Sequence, residues 1–136
     1  MDRRTFALAA ERLIWLLAVA ATLLLLGAGL VKNVYFENTS EALREAAAGV
    51  RMIWAAATML VGLAAYARWR GAPAWSWGLV LSAPVACGGL MAVWSESLFP
   101  QLAFVVIGPL AALAALVGAV VRWRPDPATT DLRPAR

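Results

Sequence analysis

Histidine is absent from this 136-residue chain, cysteine occurs once, at Cys87, and charged residues make up 15% of the sequence. The lack of histidine excludes His-ligated haem, the usual zinc sites that use histidine and a Ser-His-Asp triad. A single cysteine excludes an internal disulfide. We therefore predict that the protein binds no cofactor and no metal, and that it has no catalytic chemistry of its own.

Apolar residues dominate what is present: they account for 62% of the chain, and the mean hydropathy is +0.73. Soluble domains are about 45–50% apolar and about 25% charged, so this chain is too apolar for a water-soluble fold. The apolar residues form continuous runs, which are typical of membrane helices rather than of the alternating strands of a barrel. We predict an all-α polytopic membrane protein, a four-transmembrane-helix up-down bundle, with spans at about 13–31, 46–67, 74–94 and 102–121.

Basic residues are distributed unequally between the two ends of the predicted spans. One side collects nine arginines and the other side three basic residues, and the side richer in Lys and Arg is the cytoplasmic one. Both termini are therefore predicted in the cytoplasm, N-in/C-in. The nine are Arg3, Arg4, Arg12, Arg68, Arg70, Arg122, Arg124, Arg133 and Arg136, and the three are Lys32, Arg44 and Arg51.

The segments outside the spans are too short to bury a core, so we predict a single transmembrane domain at 13–121. Residues 1–12 form a basic cytoplasmic N-terminus, and the tail at 122–136 is predicted to be disordered in the cytoplasm. The outer loop, 32–45, is predicted to be partly helical, because helix formers follow Thr39 and lead into the second span. This extension is either a docking surface for an outside partner or, as we favour, a solvated helix.

Two segments, 68–74 and 122–128, share the pattern Arg-Trp-Arg-x-x-Pro-Ala. Each follows a predicted span, where arginine and tryptophan are both typical of the membrane interface. The repeat indicates either a duplicated helical hairpin or two independent anchors, each ending a span.

Aromatic residues fall at the ends of the predicted spans rather than in their middles. Tryptophan favours the interface because its ring is apolar while its indole N–H needs a polar partner. We therefore interpret the seven tryptophans as interfacial anchors: Trp15, Trp54, Trp69, Trp75, Trp77, Trp94 and Trp123.

One polar cluster stands out at the outer ends of the spans, around Arg51 and Glu96. These two residues belong to different predicted helices at similar depth, which favours an interhelical ion pair; two separate interfacial anchors are the alternative. Glu11 precedes the first span, and the middle of every span is free of charge. A midplane carboxylate of the kind that ion-coupled carriers use is therefore missing from the sequence.

The fourth predicted span carries small residues spaced four, three and four apart, which places them on one face. Such faces let helix backbones approach closely in lipid. Packing within the bundle is one interpretation, and contact with another membrane protein or with a second copy of this chain is the other. The face consists of Gly108, Ala112, Ala115 and Ala119.

These patterns favour a small integral inner-membrane protein that serves as an accessory or assembly subunit, packing against other membrane helices in the bilayer and not binding nucleic acid. The alternative is a homo-oligomeric channel or exporter for a small or apolar solute. A membrane enzyme that uses the region of Arg51 and Glu96 on a lipid-linked substrate ranks below both. An alanine-rich composition with arginine favoured over lysine is typical of a bacterial protein from a GC-rich genome.

Overall fold

The structure, a computed structural model, describes residues 3–33, 39–93 and 98–120. Within these ranges the chain forms four α-helices and no strands, which confirms the predicted all-α class. All four helices are long and apolar enough to cross a bilayer, as expected for a multi-pass membrane protein. In chain order they are α1 (Arg3–Lys32), α2 (Ser40–Trp69), α3 (Ala74–Val93) and α4 (Phe99–Val120).

Helices α1 and α2 both begin before the predicted spans. α1 begins at Arg3 rather than near residue 13, because the alanine, leucine, glutamate and arginine residues before the apolar run are good helix formers. α2 begins at Ser40, where Thr39 is the N-cap and its hydroxyl accepts a hydrogen bond from Ala42 N at 3.2 Å. Helix propensity and capping, rather than hydrophobicity, set these two boundaries.

The connection between α2 and α3 is a tight turn closed by backbone hydrogen bonds. Gly71 has a positive φ of 75°, a conformation that costs residues with a side chain about 1–2 kcal/mol. The Gly71 N–H donates to Arg68 O at 3.0 Å, and the Ala72 N–H donates to Ala67 O at 2.9 Å. This pair of bonds is a Schellman motif, and Pro73 follows it because a proline does not continue the helix.

Helices α1 and α2 cross with their backbones almost in contact at Gly29 and Gly49. A Cβ placed on Gly49 would lie 2.7 Å from the Gly29 carbonyl oxygen, and one placed on Gly29 would lie 2.9 Å from the Gly49 carbonyl oxygen. Both glycines are buried. Close approach at small residues increases van der Waals contact, a main source of helix association in lipid.

The core of the bundle is apolar and draws on all four helices. α1 and α3 each pack against both α2 and α4. Leu26 of α1, Leu60 of α2 and Val80 of α3 are fully buried, together with Ala111 and Ala115 of α4. Because the surrounding lipid is itself apolar, dispersion contacts between these side chains stabilise the bundle more than removal from water does.

Two prolines that are expected to kink their spans, Pro84 and Pro109, lie inside α3 and α4. A proline has no N–H, so Pro84 leaves the carbonyl of Val80 without its usual helical donor. From the sequence, Ser82 is expected to help satisfy the backbone near Pro84. The structure shows that its hydroxyl donates to Leu79 O at 2.7 Å, one residue before the carbonyl that the proline frees.

Candidate functional site

The best-defined polar contact among the described residues joins the start of α1 to the end of α2. Arg70 binds both carboxylate oxygens of Glu11: its Nε donates to Oε1 at 2.7 Å and its Nη2 donates to Oε2 at 2.6 Å. The Tyr66 hydroxyl donates to the same Oε1. The side chains of Arg70 and Glu11 are 24% and 27% exposed. A bidentate, charge-assisted pair of this kind is stronger and more directional than a single hydrogen bond.

Sequence reasoning missed this Glu11–Tyr66–Arg70 cluster because its members are 55 and 59 residues apart. The apolar run alone puts Glu11 before the first span, whereas α1 is continuous through it and the candidate span is Phe6–Lys32. Helix register is the signal that could have found the cluster. Glu11 precedes Gly29 by about as many residues as Tyr66 follows Gly49. If α1 and α2 run in opposite directions and cross at these glycines, the equal spacing brings Glu11 and Tyr66 to the same level.

Trp15 continues the contact between α1 and α2 one turn further along. Its side chain is 3% exposed, and its indole N–H donates to Leu63 O at 3.0 Å. The acceptor of this N–H is thus a backbone carbonyl of α2. Trp15 therefore fastens the same pair of helices as Glu11 does.

The remaining tryptophans differ in exposure. Trp77 is half-buried, and the guanidinium carbon of Arg68 lies 5.3 Å from its ring centroid, within the range of a cation–π contact. The interfacial role of all seven tryptophans stays a prediction. Trp54, Trp69 and Trp75 are exposed, and Trp94 and Trp123 lie outside the described residues.

A groove of about 390 Å³ runs between α1 and α2 beside the Glu11–Tyr66–Arg70 cluster. Glu11 and Tyr66 form its polar wall, and the rest of the lining is apolar. An apolar groove with one polar wall has the chemistry for an amphipathic ligand. The apolar lining consists of Ala7, Ala10, Ile14, Trp15, Ala18 and Leu63.

A second groove, the α1–α4 groove, lies between α1 and α4 and has a volume of about 460 Å³. Its lining is wholly apolar and rich in small residues. Gly27 lets α1 approach Phe104, because a Cβ on this glycine would lie 2.8 Å from the ring. The groove is lined by Ala20, Leu23, Leu24, Gly27, Ala28, Phe104, Gly108, Pro109 and Ala112.

The predicted small-residue face of α4 is divided between the core and this groove. Ala115 and Ala119 are buried within the bundle. Gly108 is also buried, and it lines the α1–α4 groove together with the half-buried Ala112. Packing within the chain therefore accounts for Ala115 and Ala119, while Gly108 and Ala112 border the groove, which a further helix could reach.

A buried hydroxyl joins α3 to α4. Ser76 is fully buried, and its Oγ donates to Ala114 O at 3.1 Å. Gly118 lies against the same side chain, since a Cβ on it would lie 2.7 Å from the Ser76 Cβ. The absence of a side chain at Gly118 is what lets the serine reach α4.

The predicted ion pair between Arg51 and Glu96 stays a prediction. Arg51 is exposed on α2, and Glu96 lies outside the described residues. Within the three described ranges, no three His, Cys, Asp or Glu side chains are grouped as the ligands of a metal ion would be.

Comparison with known proteins found no match among protein-family models, curated proteins or solved structures. Three physical features of the bundle bear on its function. These are the charged cluster at one end, the filled apolar core and the open α1–α4 groove.

Proposed function

We propose that the protein is an accessory or assembly subunit of a bacterial inner membrane, without catalytic chemistry of its own, that packs against a helix of another membrane protein through the α1–α4 groove. The observation that carries this proposal is the groove itself, an apolar surface rich in small residues on the outside of a bundle with a filled core. Helices associate in lipid where small residues allow close backbone approach, so this surface suits a further helix.

The lining residues are spaced as a helix-binding groove requires. On α1, Ala20, Leu24 and Ala28 are four residues apart, and on α4, Gly108 and Ala112 are four apart. Rows with this spacing form the ridges and grooves through which helices pack against one another. A ridge of side chains on a partner helix therefore fits between the two rows.

The interior of the bundle supports an accessory role over a pore within a single copy. Leu26 and Leu60 are fully buried at its centre. Thr22 and Ser76, which are buried and polar, both donate to backbone carbonyls, at 2.6 and 3.1 Å. A conducting path needs lining groups that are free to replace the hydration of a solute, and these two hydroxyls are already engaged.

We also propose the up-down arrangement with both termini in the cytoplasm. Two contacts support it: Glu11, early in α1, binds Arg70, the C-cap of α2, and Ser76, early in α3, binds Ala114, late in α4. Consecutive helices that meet start to end run in opposite directions. The excess of arginine then assigns this end of the bundle to the cytoplasmic side.

Single-cysteine labelling in intact cells tests the orientation. In a Cys87→Ala background, Asp2→Cys and Ala135→Cys are expected to react with an impermeant maleimide only after the cells are permeabilised. Thr39→Cys, on an exposed residue between α1 and α2, is the control and is expected to react without permeabilisation. Labelling of the two ends from opposite sides would overturn the arrangement.

Filling the α1–α4 groove tests the proposed subunit contact. Ala20 is an exposed alanine that lines the groove, so Ala20→Phe blocks it without entering the core. Ala55 is an exposed alanine of α2 that does not line it, which makes Ala55→Phe a matched control. Each variant is purified in mild detergent, and the stoichiometry of co-purifying membrane subunits is measured by mass spectrometry.

We expect a stoichiometric foreign subunit with the wild-type chain and with Ala55→Phe, and its loss with Ala20→Phe. A defined homo-oligomer that contains no foreign subunit would contradict the accessory role. Retention of the same partner by Ala20→Phe would place the contact elsewhere on the bundle and reject the groove as its site.

A homo-oligomeric channel or exporter for a small or apolar solute is the alternative function. The groove between α1 and α2 favours it, because Glu11 and Tyr66 give an otherwise apolar surface a polar wall at which a solute could bind. The purification described above separates the two functions, since a channel of this kind requires several copies of this chain.

A further inference from the structure

Arg12 lies at the end of the core-facing side of α1. It precedes Val19 by seven residues and Leu26 by fourteen, so the three residues share one face of the helix. Val19 and Leu26 are fully buried. Arg12 therefore continues the buried stripe of α1 at the end of the bundle, and its own side chain is partly buried.

The Arg12 Nε is buried and has no hydrogen-bond partner among the described residues. A buried donor without a partner is destabilising, and more so when the group is charged. The neighbouring carboxylate does not fill this role, because both oxygens of Glu11 already accept from Arg70. Consecutive helical residues point about 100° apart, and Glu11 is the one of the two that reaches Tyr66 and Arg70 of α2.

The described charges at this end of the bundle favour an anion. Three cationic side chains, Arg12, Arg68 and Arg70, stand against one carboxylate, Glu11. The bidentate pair of Glu11 and Arg70 is neutral as a unit. The surplus positive charge therefore belongs to Arg12 and Arg68.

The surroundings of Arg12 place it where acyl chains meet headgroups. Leu13 and Ile14, the next two residues, are exposed apolar side chains that suit lipid. Trp69 and Trp75, at the same end of the bundle, are exposed, and exposed tryptophans collect at the headgroup level. Lipid phosphate is the anion concentrated at this depth, and basic pockets between membrane helices bind it.

We propose that Arg12 binds the phosphate of an anionic phospholipid: its side chain turns toward the headgroup, and its Nε and one Nη donate to two phosphate oxygens. A guanidinium suits this contact because its planar fork matches phosphate geometry, and the bond to Nε satisfies the buried donor. This lipid site does not depend on the subunit contact proposed above. A lipid headgroup and free phosphate share the same chemistry, so the experiment compares the two.

Native mass spectrometry of the detergent-purified chain tests the site. The protein is incubated with phosphatidylglycerol or with phosphatidylcholine of the same acyl chains, and the retained lipid is counted. We expect preferential retention of phosphatidylglycerol and a loss of affinity of at least about tenfold in Arg12→Gln, since a hydrogen bond to a charged group contributes about 1.5–3 kcal/mol. Arg51→Gln is the control, because it removes an exposed arginine outside this site.

Arg12→Lys keeps the charge without the fork and is expected to retain an intermediate amount of lipid. Equal retention by Arg12→Gln and Arg51→Gln would overturn the proposal. Equal retention of the two lipids by the wild-type chain would also overturn it, and that comparison holds even if Arg12→Gln does not fold. If excess inorganic phosphate displaces phosphatidylglycerol and raises the thermal stability of the wild type but not of Arg12→Gln, the ligand is a free anion and the lipid assignment is wrong.

Discussion

Replacing Gly49 with alanine adds a methyl group at the closest contact between α1 and α2. The new Cβ would lie 2.7 Å from Gly29 O and 2.9 Å from Asn33 N, both of them backbone atoms that no rotamer change can move. Carbon–oxygen contacts in proteins begin at about 3.3 Å, so the helices have to separate by roughly 0.6 Å at this point. The van der Waals contacts between α1 and α2 around the crossing become weaker when the helices separate by this distance.

Two opposing terms set the size of the effect. Over-packing of a tight contact costs about 1–3 kcal/mol. Alanine recovers up to about 1 kcal/mol because it is a better helix former than glycine. We therefore expect Gly49→Ala to lower the free energy of unfolding by about 1–2 kcal/mol.

Gly62 provides a matched control in the same helix. A Cβ on Gly62 would lie within 4 Å of no atom beyond the adjoining backbone of its own helix, so only the helix-propensity term applies there. Gly62→Ala is therefore expected to leave the free energy of unfolding unchanged or to raise it by up to about 1 kcal/mol. The two alanine variants differ in packing and in little else.

Denaturation in mixed micelles, with the fraction of sodium dodecyl sulfate increased stepwise, measures both variants against the wild type. Helix content is followed by circular dichroism and tertiary contact by tryptophan fluorescence, to which the seven tryptophans contribute, the buried Trp15 among them. If Gly49→Ala and Gly62→Ala unfold at the same detergent fraction, the close crossing of α1 and α2 is refuted.

Three further predictions concern the polar contacts and the turn. Glu11→Gln and Arg70→Gln are each expected to destabilise the bundle. A double-mutant cycle is expected to give a coupling energy of about 1 kcal/mol, which decreases when salt is added. Additive effects of the two substitutions would show that the ion pair contributes nothing. Ser76→Ala is expected to lower the free energy of unfolding by about 0.6 kcal/mol, while Ser82→Ala, whose hydroxyl bonds within its own helix, is expected to be neutral in the same micelle titration. Gly71→Ala is expected to cost about 1–2 kcal/mol by thermal unfolding and Gly71→Asn less, because asparagine tolerates a positive φ; equal values for the two would contradict the role of the turn.

The number and position of the helices were predictable because the bilayer imposes one requirement on each of them. A span must be continuous, apolar and long enough to cross, and these properties are local to a segment. The start of α3 at Ala74 agrees with the predicted span for this reason. The start of α1 at Arg3 lies before the predicted span, because a helix extends beyond the apolar run through polar residues that favour helix.

The contacts between helices were not predictable in the same way. Hydropathy treats Trp15 as one more aromatic residue near an interface, and nothing in its own segment indicates Leu63 as the hydrogen-bond acceptor. The pairing of Glu11 with Arg70 depends on the register of α1 against α2, which Gly29 and Gly49 set. Register is a property of two segments together, so reading one segment at a time does not reveal it.

Arg12 shows what the spacing of residues within a single segment can still indicate. Hydropathy assigns it to a basic tail, where its charge serves only to orient the chain. Helical spacing gives a different result, since Arg12 falls on the same face as Val19 and Leu26, the face that any bundle of these helices buries. A cation on that face at the end of an apolar stripe is a candidate to bind an anion from outside the core, since Glu11 is already bound by Arg70. Wherever a single arginine extends the buried stripe of a membrane helix into the interface, the same argument identifies a candidate headgroup site.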